Sequence, residues 1–142
     1  MKKTIKSGLL LLTAFLLIVC AVSCGNKVEK TGLWESATYL GDKEFGKGKN
    51  TAIVEVKAED QMVTFTIHTD KETVGAALLE HELIAGEDGA YGLYIKKVNG
   101  ITADFDVDQS YWAFYINGEY AMTGVDTTKI NEGEIYQLAY TK

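Results

Sequence analysis

The chain has 142 residues, 46% of them hydrophobic, no proline, and a formal net charge of −6 at neutral pH. That length is enough for one domain with one core. The acidic balance argues against nucleic acid as a partner and against electrostatic adsorption to an anionic membrane.

The chain opens with MKKTIKSGLLLLTAFLLIVCAVSCGNK. Lys2, Lys3 and Lys6 precede an uncharged apolar run over residues 8–19, and small residues follow, which is the pattern of a secretory signal. The run is short of the roughly 20 apolar residues that a bilayer crossing needs. Its end, AVSC, resembles a bacterial lipobox, with cleavage expected before Cys24 and acyl chains on that cysteine. Ser23 and Gly25 flank Cys24 as small neighbours, whereas Cys20 follows the bulkier Val19. Residues 1–23 are thus expected to be a lipoprotein signal peptide, and the protein to sit on the extracytoplasmic face of a bacterial membrane. The blander alternative is an ordinary cut near Ser23, with Cys24 a free thiol. Lipid on one cysteine holds a soluble domain to the membrane at about 0.8 kcal/mol per buried CH₂. No cysteine follows Cys24, which excludes a structural disulfide downstream. The three lysines are the only charges before Cys24, so the remainder carries about −9.

Residues 24–50 are expected as a lipid-anchored tether, with 33–40 a candidate first strand and the Gly- and Lys-rich stretch 41–50 a mobile loop. TAIVEVKAEDQMVTFTIH, residues 51–68, is a hairpin. Ala52, Val54 and Val56 alternate with more polar neighbours, and so do Val63, Phe65 and Ile67. DKETVGAALLEHELI changes period and predicts a helix, with Val74, Ala77, Leu78 and Ile84 on one face, Thr73 or Asp70 as N-cap, and Gly86 beyond its end. GEDGAYG reads as a loop and LYIKKVNG as a strand turning at Asn99-Gly100. YWAFYINGEYAM is a second hairpin, with Asn117-Gly118 suited to a type I′ turn. In NEGEIYQLAYTK, residues 131–133 turn and 134–141 form the last strand. The order predicts an α+β domain: a small antiparallel or mixed sheet packed on one main helix.

TVGAALLEHELI, GLYIKKVNGI and YWAFYINGEYAMTGVDTTKINEGEIYQLAYT, in that order, resemble the transcobalamin-like C-terminal domain family over residues 51–142. The resemblance implies a β-grasp-like fold and a module that faces a ligand. In the animal cobalamin carriers of that family, the domain covers one side of a corrinoid.

Alternation on the aromatic strand puts Trp112, Phe114 and Ile116 on one face and Tyr111, Ala113 and Tyr115 on the other. The first set is the more apolar and is assigned to the core. Tyr111 and Tyr115 are then candidate ligand contacts, against the alternative of a solvated sheet face where tyrosine is favoured by β-propensity. The resemblance also brings Tyr91, Leu93 and Tyr94 forward as ligand-binding candidates, with the backbone at Gly89 and Gly92 able to approach a partner closely. A plain flexible loop is the alternative there.

Asp104, Asp106 and Asp108 share the spacing of a calcium-loop start, but the glycine and the final glutamate of that motif are missing. A solvated strand edge is the simpler reading. His68 and His81 lack a third neighbouring ligand for zinc, although His81 is a candidate axial ligand to a corrinoid cobalt. No nucleophile elbow or phosphate loop is present, so no metal cofactor and no enzyme activity are expected. The chain is read as a small-molecule-binding module whose ligand is of corrinoid type, with a membrane transporter as partner. A surface adhesion or assembly module that binds protein through its sheet face is the alternative.

Overall fold

The computed structural model describes residues 27–142. The expected signal peptide and the acylation site Cys24 lie outside the described residues. Nine strands, β1 (Lys43–Phe45), β2 (Asn50–Ala58), β3 (Gln61–Thr69), β4 (Ile84–Gly89), β5 (Gly92–Val98), β6 (Ile101–Thr102), β7 (Tyr111–Ile116), β8 (Glu119–Tyr120) and β9 (Ile135–Thr141), form two sheets. The larger has the order β1-β3-β2-β9-β7-β8, and the smaller β4-β5-β6. One main helix, α1 (Val74–Glu80), and a single helical turn, α2 (Phe105–Asp108), complete the set with a 3-10 turn at Gly32–Ser36. The expected α+β class is the observed one.

β2 and β3 pair antiparallel around Glu59 and Asp60, with Val54 opposite Phe65 and Val56 opposite Val63. β9 then lies parallel to β2 and antiparallel to β7. Placing the last strand parallel to the first long one, at the centre of the sheet, makes the arrangement β-grasp-like. Alternation drives the inner face: Ala52, Val54, Val56, Val63, Phe65 and Ile67 are buried, as are Tyr136 and Leu138 of β9. Val74, Ala77 and Leu78 of α1, Val98 of β5 and Trp34 of the 3-10 turn close the same core.

Several local expectations are corrected. A 3-10 turn, not a strand, occupies the start of 33–40. Its apolar residues do not alternate, and Trp34 is driven fully under the β2–β3 turn, where its Nε1–H donates to Ala58 O at 3.0 Å. Within the expected mobile loop 41–50, β1 pairs parallel with β3, anchored by Phe45 edge-on to Tyr39 and Phe65 at 5.3 and 5.4 Å. Glycine and lysine content concealed that aromatic anchor.

Thr73 caps α1, its side chain accepting from Ala76 N at 3.2 Å. The helix is shorter than predicted: it ends at Glu80, Glu82 takes a positive φ, and Ile84 opens β4 instead of ending the helical face. GEDGAYG is no loop. It forms the β4–β5 hairpin, with Gly89 opposite Gly92 across Ala90 and Tyr91. Five of the six β4 residues are exposed, so no apolar alternation marked the strand. The aspartates at 104–108 form no strand edge but the start and body of α2, with Asp104 as its cap.

Candidate binding cleft

A concavity of about 260 Å³ lies between β5 and β7. β5 contributes Leu93, Tyr94 and Ile95, β7 contributes Tyr111, Trp112 and Phe114, and the segment 120–125 closes the remaining side. Three of the five candidates, Leu93, Tyr94 and Tyr111, are thus brought together. Tyr91 sits fully exposed at the tip of the β4–β5 hairpin and does not line the cleft. Tyr115 lies outside the lining too, its ring edge-on to Tyr120 at 5.6 Å.

Trp112 and Phe114 are only 7% and 9% exposed, as their assignment to the core requires, and they also line the cleft. Strand alternation alone treated those roles as exclusive. They coincide because β8 is short. It pairs only with Tyr115 and Ile116, so β7 runs past it with no strand alongside. The hydrogen bonds fix the direction of the edge groups. Asn117 N donates to Ile135 O on β9, and Phe114 O accepts from Ala121 N on the other side. By alternation the main-chain N–H and C=O of Trp112 point with those of Phe114, away from β9.

The segment 120–125 was also missed. Its available signal was the run EYAMTGVD, apolar without period, in which Tyr120 and Met122 are 62% and 95% exposed. It is held from behind. Thr128 Oγ1 donates to Gly124 O at 2.7 Å, and Gly75 N at the start of α1 donates to Val125 O at 2.8 Å. Leu93 N donates to Asp126 Oδ2 at 3.3 Å, which ties β5 to the same segment. Gly92, at φ +108°, permits this closeness: a Cβ there would lie 2.7 Å from Asp126 Oδ2.

Two buried polar atoms beside the cleft have no hydrogen-bond partner among the described residues, Trp112 Nε1 and Asp126 Oδ1. An orphaned buried donor costs about 1–3 kcal/mol, so each invites a functional account. The contrast with Trp34, whose indole is bonded, is direct.

The other candidates lie elsewhere. His68 Nε2 is 2.5 Å from Glu44 and its Nδ1 3.2 Å from Thr51 Oγ1, on the outer face of β1–β3. His81 packs against the Phe45 ring at 5.4 Å. Neither histidine lines the cleft. Asp104 accepts from Asp106 N, and Asp108 accepts from Ser110 N and Oγ, whose hydrogen bonds hold the Asp108 carboxyl below its usual range. Among the described residues no group of three or more His, Cys, Asp or Glu is placed to hold a metal ion.

A family model described as a domain of unknown function, DUF4430, matches residues 71–142. No curated protein matches the chain. Among solved structures, a candidate metal binding protein from Ruminococcus gnavus is 32% identical, with a TM-score of 0.62 over 66% of this chain and 98% of that one. Haptocorrin in complex with Cbi is similar at 18% identity and a TM-score of 0.51, a likeness of fold. That match covers 69% of this chain but only 26% of haptocorrin, so the chain spans about a quarter of that relative's length. With the model covering its C-terminal half and the Ruminococcus protein matched almost end to end, the chain belongs to the DUF4430 family.

Proposed function

We propose that this protein binds a small ligand of corrinoid type in the β5–β7 cleft, outside the cytoplasm, and is not an enzyme. It is held to the membrane by lipid on Cys24 and passes its ligand to a membrane transporter. The observation that carries the reading is the cleft itself, with Tyr94, Tyr111 and Tyr120 around the buried Trp112 and Phe114. Aromatic walls with polar tips suit a flat, partly polar ligand. The fold likeness to haptocorrin, whose structure holds Cbi, supports the choice of ligand class. The metal-binding description of the Ruminococcus protein agrees with a metal that arrives inside its own macrocycle.

At about 260 Å³ the cleft falls just below the roughly 300–1,000 Å³ of ordinary small-molecule pockets. A macrocycle therefore lies across its mouth, covered on one side, and leaves its other side for a second protein. A thermal-shift titration of the full chain with cobinamide and with cobalamin tests the reading. At 100 times the dissociation constant the ligand adds about 2.7 kcal/mol. The shift is expected to vanish in a Tyr94→Ala, Tyr111→Ala double variant and to persist in Tyr115→Ala. No shift with either corrinoid at high concentration overturns the ligand class. The exposure of Met122 and Tyr91 favours protein docking as the second reading.

A further inference from the structure

We propose that the free edge of β4 is a docking site for an extended, lysine- or arginine-rich peptide segment of another protein, which adds to the small sheet as a fourth strand. The site is separate from the cleft, which no β4 residue lines. Of the strands at sheet edges, β1, β8 and β6 are only three, two and two residues long. β4 is six residues long and has β5 as its one neighbour. Its residues 85–89 are all exposed, and outside the pairing with β5 no backbone hydrogen bond engages them among the described residues. An antiparallel strand turns only alternate residues' N–H and C=O groups towards its partner, so an edge strand keeps the others for a new neighbour. Strand addition uses such a row of groups.

Charge selects the occupant. Glu87 and Asp88 are successive and exposed, so their carboxylates stand on opposite faces of the strand. Glu82, also exposed, adds a third just before β4. Asp88 has no ion pair among the described residues. Glu87 reaches Lys96 at 3.3 Å with its side chain 70% exposed, a surface pair that an incoming cation can replace. The β4–β5 ladder also shifts register between Ala85 and Gly86. Charge and irregularity are the ordinary means of keeping an edge from pairing indiscriminately. They oppose a second copy of this chain, because β4 against β4 sets carboxylates opposite carboxylates. They admit a basic strand, whose side chains would meet Glu87 on one face and Asp88 on the other. Tyr91, wholly exposed at the hairpin tip just beyond, offers its ring to a further cation. The chain's net charge of −6 favours the same partner at long range.

The test uses the ¹⁵N-labelled full chain in detergent and three short capped peptides. One alternates valine with lysine, and one alternates valine with glutamate. The third is the lysine peptide N-methylated at two consecutive central residues, which blocks both of its edges at unchanged charge. The lysine peptide is expected to saturate, to move main-chain N–H resonances among residues 85–89 and to slow their hydrogen exchange. The glutamate and methylated peptides are expected to bind roughly tenfold more weakly. A Glu87→Lys, Asp88→Lys double variant, changed only at exposed side chains, is expected to reverse the preference towards the glutamate peptide. Tyr91→Ala is expected to weaken the lysine peptide about threefold. Equal binding of the methylated peptide overturns the proposal, since it reduces the contact to charge alone. So do saturable binding that leaves residues 85–89 unmoved, an unreversed preference in the double variant, and no binding at millimolar concentration. The corrinoid titration reads the cleft and stands or falls independently of these outcomes.

Discussion

The two tryptophans are both buried and behave differently. Trp34 places its indole N–H on Ala58 O and seals the end of the first hairpin. Trp34→Phe is expected to cost about 1–3 kcal/mol through the lost bond and the space left behind, as read by urea denaturation. Trp112 was legible in the sequence as a core residue from strand alternation. Its part in a cleft was not, because that depends on where a neighbouring strand stops. Tyr136 offers a separate test. Its hydroxyl accepts from Asn131 N and donates to Glu134, and burial foremost pushes its pKa up to about 12. The folded value lies above the unfolded 10.0, so the contribution is whole below pH 10 and is lost as pH rises through the folded value. Stability is expected to fall by up to about 3 kcal/mol across that window. In Tyr136→Phe this part of the alkaline loss disappears, which denaturant titrations at several pH values would reveal.

At the scale of elements, the sequence was clearest where one face is buried and the other wet. The β2–β3 hairpin, the Asn117-Gly118 turn and the Thr73 cap all follow from local chemistry. Thr73→Ala is expected to cost about 1 kcal/mol of stability on thermal denaturation. The β4–β5 hairpin was illegible because β4 is exposed nearly throughout, so side chains left no period. Gly75 separates local propensity from packing. In a free helix Gly→Ala gains about 1 kcal/mol. Here a Cβ at position 75 would lie 2.9–3.0 Å from the backbone of Val125 and Asp126. Gly75→Ala is therefore expected to destabilise, against propensity, and to displace the segment that walls the cleft. A raised melting temperature would contradict the tight contact.

At the scale of the molecule, residues 27–50 are more than a leash. Trp34 belongs to the core, and Tyr39 and Phe45 pack on Phe65. A fragment starting at residue 51 is expected to lose cooperative unfolding and near-ultraviolet circular dichroism, whereas one starting at residue 27 retains both. The sequence carried the overall class because its strand–helix–strand order was plain. It did not carry the cleft, which arises between strands of two different sheets, β5 and β7.

The order of strands across the large sheet also sets the entry of the described chain apart from the cleft. The described chain enters where Lys27 bridges Gly41, just before β1 at one rim, while the cleft opens along β7 and β8 at the other. Five strand spacings of about 4.8 Å separate the rims by up to roughly 24 Å along the sheet. A chain acylated at Cys24 would stand on that first rim like a post, its open mouth turned from the bilayer. Under the proposed function, a ligand would then be taken from the surrounding medium, and its transfer would require the receiving protein to rise to the mouth or the post to lean.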